Sequence, residues 1–152
     1  MGSLATALAC LAAAAPGCGG PQALEAPPKP TAFAISFERS GGLKPTTRKL
    51  AIRPGGHAVA SVRGSDGAYD RPVRFQVGAK RIRSLRRGLA RARFSAIEST
   101  TTPGSCADCY RYSIRYRGHA VALQETDVPA RLRRVIDQLE AMITARAGPS
   151  LH

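Results

Sequence analysis

The chain has 152 residues, which is room for one domain besides any processing segments. It has no Trp and only four Phe and four Tyr, so a core has to be built mainly from Leu, Ile, Val and Ala. The formal charge is +13, all of it carried after residue 18, and the ten acidic residues are scattered, which disfavours a two-carboxylate hydrolase.

The first thirty residues read as targeting and tether. Residues 4–15 are an uncharged apolar run rich in Ala and Leu. The run is too short for the ~20 residues that span a bilayer, and it fits the ~7–15 of a signal-peptide core. Small residues follow in Ala15-Pro16-Gly17-Cys18-Gly19-Gly20, so the segment resembles a bacterial lipobox, in which a small residue precedes a cysteine that becomes lipidated. The expectation is a signal peptide over 1–17 and a lipid on Cys18. Plain secretion with an incidental cysteine is the alternative. Residues 18–30 contain Pro21, Pro27, Pro28 and Pro30 among Gly and Ala, the composition of an extended spacer. An exported, lipid-anchored protein at the cell surface or cell membrane follows, with a folded domain over 31–147 and a disordered tail at 148–152.

Within the domain, Phe33, Ile35 and Phe37 alternate with small or polar residues, the period of a half-buried strand. Arg39-Ser40-Gly41-Gly42 interrupts the pattern, and Leu50 and Ile52 resume it over residues 49–53. Pro54-Gly55-Gly56 is a turn, and residues 57–62 are the returning strand. Residues 73–77 form a short strand that Pro72 restricts to an edge. Over residues 79–93 the period changes. Ile82, Leu85, Leu89 and Ala92 fall on one helical face, with Lys80, Arg83, Arg87 and Arg91 opposite. In residues 110–117, Tyr110, Tyr112, Ile114 and Tyr116 share one strand face, and after Arg117-Gly118 the chain returns with Val121 and Leu123 inward. Asp127 and Pro129 open a last helix, whose buried stripe is Leu132, Val135, Ile136, Leu139 and Ile143. This order predicts an α+β fold: an antiparallel sheet of about four to five strands with two helices packed on one face.

Two features bear on chemistry. Cys106-Ala107-Asp108-Cys109 is open to three readings. A redox dithiol needs a stabilised thiolate, but this pair leads into a strand and has Asp108 between its cysteines. A zinc site needs a second ligand pair, and His57, His119 and His152 are scattered. A structural disulfide suits an exported protein and is the favoured reading. The basic helix carries seven cations and no anion over residues 80–93. Its partners would be anionic lipid, wall polymer or an acidic protein surface, with nucleic acid disfavoured by export and by the absence of a stacking platform. No G-x-S-x-G, H-E-x-x-H or phosphate-loop pattern is present, so no catalytic residue, metal or cofactor is expected.

The order of elements resembles the emfourin family, small protein inhibitors of thermolysin-like (M4) metalloproteases. The resemblance rests on Ile35-Ser36-Phe37-Glu38-Arg39-Ser40-Gly41-Gly42-Leu43 and on Lys49-Leu50-Ala51-Ile52. It continues in Ala92-Arg93-Phe94, in the strand from Tyr110 to Tyr116, and in Val128-Pro129-Ala130 with the last helix. It covers most of residues 33–145, and the Arg-x-Gly-Gly turn after an alternating strand is its most specific part. It implies a non-enzymatic, monomeric protein-binding module, with Arg39, Gly41, Gly42 and Leu43 as the partner-binding residues. Gly41 and Gly42 would set the path of a rigid loop, and Leu43 would offer an apolar anchor. The alternative function is a cell-envelope accessory protein that binds anionic lipid or polymer through Lys80, Arg83, Arg87 and Arg91.

Overall fold

One apolar side chain at every second position (Phe33, Ile35, Phe37) gives the first strand a face that must be covered, and the rest of the domain is built around it. The computed structural model describes residues 33–68, 71–100 and 106–147. The expected signal peptide, Cys18, the tether and the tail lie outside these residues.

The elements are β1 (Ile35–Gly41), β2 (Thr46–Ile52), β3 (His57–Arg63), β4 (Val73–Gln76), α1 (Ala79–Arg91), β5 (Tyr110–Tyr116), β6 (His119–Gln124) and α2 (Ala130–Ala147). The strands form one antiparallel sheet in the order β4-β3-β2-β1-β5-β6, so the fold is α+β as expected. There are six strands where four to five were expected. The short β4 does pair with β3 at the sheet edge, where Pro72 costs no ladder hydrogen bond.

β1 sits inside the sheet and pairs along its whole length with β2 on one side and β5 on the other. It runs through Gly41, beyond the break suggested by Arg39-Ser40-Gly41-Gly42, and β2 starts at Thr46. The reason is that Arg39 and Arg48, paired across β1 and β2, occupy core-facing positions there. The apolar alternation is lost while the pleat continues.

One face of the sheet presents Ile35, Phe37, Leu50, Ile52, Ala58, Ala60, Val62, Ile114, Val121 and Leu123, all buried. The helices cover it, α2 lying over β2, β3 and β4. Leu85 and Leu89 of α1 join the core, as does the expected α2 stripe together with Met142. A Cβ added at Gly88 would come within 2.9 Å of a Val135 methyl, so the bare backbone at this position sets how closely α1 and α2 approach. α2 starts with the Pro129 carbonyl accepting from the Leu132 and Arg133 amides. Asp127 instead ends the short 3-10 turn Glu125–Asp127 that precedes it. The other sheet face is open, with small and charged side chains that include the cross-strand Glu38–Lys49 ion pair at 3.2 Å. No helix among the described residues is long and apolar enough to cross a membrane.

Candidate binding site at the hairpin end of the sheet

β1 and β2 are joined by four residues, and the backbone turns at Gly41 (φ 105°) and Gly42 (φ 92°), in the region that only glycine enters without strain. Space as well as angle requires glycine. A Cβ at Gly41 would sit 2.6 Å from the Cys109 carbonyl oxygen, and one at Gly42 would sit 2.7 Å from the Tyr110 ring. The hairpin therefore lies directly against the start of β5. Leu43, at its tip, is 83% exposed and is the one large hydrophobic side chain so exposed among the described residues.

The base of the hairpin is braced from three directions. Below it, Glu140 of α2 faces both strand arginines, with Arg39 Nε 3.4 Å from Oε1 and Arg48 Nη1 3.2 Å from Oε2. Arg48 Nη1 also donates to Thr144 Oγ1 at 3.0 Å. The Arg39 contact is an ion pair without hydrogen-bond geometry, so it holds charge near charge rather than fixing an angle. From the side, the Arg39 guanidinium stacks on Tyr110, 4.2 Å from the ring centroid. From behind, Cys106 and Cys109 are joined in a disulfide with Cα atoms 5.4 Å apart. That small loop is tied to the end of β6: Gln124 Nε2 donates to the Cys106 carbonyl at 3.1 Å, and the Tyr110 amide donates to Glu125 Oε2 at 3.1 Å. Burial, and then the Glu125 carboxylate, raise the pKa of the Tyr112 phenol above its ordinary value, while Arg39 opposes the shift.

Arg39, Gly41, Gly42 and Leu43 are thus brought together, but in different roles. Leu43 faces solvent, the glycines shape the turn, and Arg39 points inward with its guanidinium engaged by Glu140 and Tyr110. The sequence reading did not place Arg48, Tyr110, Glu125 or Glu140 at this site, nor the disulfide beside Gly41. A signal for part of it existed. Arg48 shares a strand face with Leu50 and Ile52, and Glu140 lies on the same helical face as Ile136 and Ile143, so each places a charge on a buried stripe. Lys80, Arg83, Arg87 and Arg91 are exposed on α1, away from this constellation. Arg87 and Arg91 line a groove with Arg131 and Arg134 of α2.

The arrangement can present an apolar side chain on a preformed loop. Among the described residues, no three His, Cys, Asp or Glu side chains group as a metal ligand set. No family model matches the chain, and no curated protein matches it.

Proposed function

We propose that this protein is an exported, lipid-anchored binding module that uses the β1–β2 hairpin to inhibit a thermolysin-like metalloprotease, with Leu43 as the anchor in the protease cleft. The observation that carries the reading is an exposed Leu43 on a turn held by two positive-φ glycines and braced by Tyr110, the disulfide and the Arg39–Glu140–Arg48 cluster. An isolated surface leucine is ordinary. One held on a rigid projecting turn is different, because little ordering entropy is lost when it docks. The resemblance of the Arg39–Leu43 segment to the emfourin family supplies the class of partner. Tethering through Cys18 would hold the module at the membrane, with residues 19–30 as spacer.

The test is titration of the purified protein into a thermolysin-like protease. Stoichiometric slowing of peptide cleavage is expected, and Leu43→Ala is expected to weaken inhibition by at least tenfold, since burying a leucine is worth ~1.5–3 kcal/mol. Undiminished cleavage at large molar excess sinks the proposal. Mass analysis of the mature N-terminus tests the anchor separately: an unmodified Cys18 refutes it.

A further inference from the structure

At the other end of β1 from the hairpin lies a cleft of about 460 Å³. α1 contributes Arg86 and Arg87, the turn after it contributes Arg93, and the β5–β6 hairpin contributes Arg117. Leu89 and Phe94 give the cleft an apolar floor, and no Asp or Glu lines it. Among the described residues, none of these four arginines is in an ion pair. Aromatic rings hold two of them at the rim: Arg86 lies 5.5 Å from the Phe33 ring centroid, and Arg117 lies 5.4 Å from that of Tyr116.

The backbone gives an independent sign that these arginines are placed for a purpose. Arg93 (φ 49°) and Arg117 (φ 51°) are the two non-glycine residues with positive φ among the described residues. Arg93 follows the C-cap of α1, where glycine or asparagine is the usual left-handed residue. Arg117 precedes Gly118 (φ 78°) in a two-residue hairpin loop with positive φ at both positions, a geometry that favours Asn-Gly. Two unrelated turns thus hold arginine where the backbone prefers another residue, and both open on the same cleft. Strain of this kind gathers at binding sites.

Four arginines converging on a cleft without a carboxylate fit a phosphate group. The guanidinium fork matches phosphate oxygens. Location selects the source. The chain enters the described domain at Phe33, whose ring contacts Tyr116 at 5.6 Å beside the cleft. The cationic surface continues through Arg87 into the groove of Arg91, Arg131 and Arg134. We propose that this cleft seats the phosphate of an anionic phospholipid headgroup, so that the domain lies with Phe33 toward the bilayer and Leu43 away from it. The choice of lipid as the phosphate source rests on the tethered reading; the cleft itself does not.

The experiment is sedimentation of the full-length protein with vesicles of phosphatidylglycerol mixed into phosphatidylcholine, against phosphatidylcholine alone. The test variant is Arg93→Asn with Arg117→Asn, because asparagine tolerates the left-handed backbone and keeps both turns. The charge-matched control is Arg111→Gln with Arg115→Gln, on the open sheet face. Affinity for the anionic vesicles is expected to fall roughly tenfold or more in the test variant and less than about twofold in the control. Binding to phosphatidylcholine alone should be equal in all three proteins, since none of the substitutions touches the N-terminal attachment that it reports. Equal losses in test variant and control would reduce the site to diffuse charge and overturn it. Full release from vesicles by low-millimolar inorganic phosphate, but not by chloride of equal ionic strength, would reassign the cleft to free phosphate. An unmodified Cys18 leaves the vesicle result unaffected, so the anchor and the cleft can fail separately.

Discussion

At the scale of single residues, the hairpin depends on what is absent at two positions. Gly41 and Gly42 have similar φ, but their neighbours differ in how far they can give way. The atom facing a Gly41 side chain is the backbone oxygen of the disulfide-bonded Cys109; the atoms facing a Gly42 side chain belong to a tyrosine ring that can swing. Gly41→Ala should therefore cost more stability than Gly42→Ala, with both in the range of ~1–3 kcal/mol, as urea denaturation would measure. Equal costs would mean that backbone angle alone sets the penalty. Tyr112 gives a pH-dependent counterpart. Its folded pKa is raised, chiefly by burial and next by Glu125, so the fold favours the protonated phenol. That contribution is complete below the unfolded tyrosine pKa of about 10 and is lost as pH rises through the higher folded value. Stability should therefore fall in alkaline solution above about pH 10. Tyr112→Phe should flatten that limb in thermal melts between pH 8 and 11, while leaving neutral behaviour nearly unchanged.

At the scale of elements, α2 acts as a clamp on the hairpin as well as a core helix. Glu140 lies between arginines that face each other on β1 and β2, and its side chain is only 16% exposed. Glu140→Gln would leave Arg39 and Arg48 opposed at a nearly closed site. A loss of ~2–4 kcal/mol in chemical denaturation is expected, below the top of the range for broken buried pairs because water still reaches the carboxylate. Hydrogen exchange should rise first in residues 39–48, and uniform exchange across the sheet would contradict the clamp. The same elements show what a sequence reveals and what it hides. The α1 stripe, the Tyr110–Tyr116 strand and the α2 stripe were legible because apolar side chains repeat at 2 or 3.6 residues, and the edge placement of β4 because Pro72 precedes it. The last part of β1 and the first part of β2 were not, because charged residues hold the core positions there and periodicity counts them as loop. The turn glycines and Leu43 were legible locally. Their bracing by Tyr110, Glu125 and Glu140 was not, because contacts between residues some 70–100 positions apart leave no pattern in a single chain. Gly88 escaped for another reason: a close helix approach looks the same in sequence as any weak helix former.

At the scale of the whole molecule, the proposed activities sit at the two ends of one strand. Seven residues of β1 separate them by roughly 20 Å at strand rise, well beyond the range at which neighbouring sites couple. Leu43→Ala should thus leave vesicle binding unchanged, and the Arg93→Asn, Arg117→Asn protein should inhibit a protease as the parent does. A combined variant should show each defect undiluted, measured as the inhibition constant and the vesicle affinity side by side. A shared loss would mean that the ends communicate through the sheet.

The double pairing of β1 also has a mechanical consequence. Suppose the protein is held at its N-terminal side and a bound partner pulls at the hairpin. The load then passes along β1 itself, which is registered over residues 35–41 with both β2 and β5. Because both ends of such a pull fall on one strand, its extended backbone carries the tension, and the two perpendicular rows of ladder bonds hold that strand straight and in register while it does so. β4, by contrast, is paired at only four positions at the sheet edge and lies off this line. The strand that joins the two ends is thus also the one best placed to carry force between them.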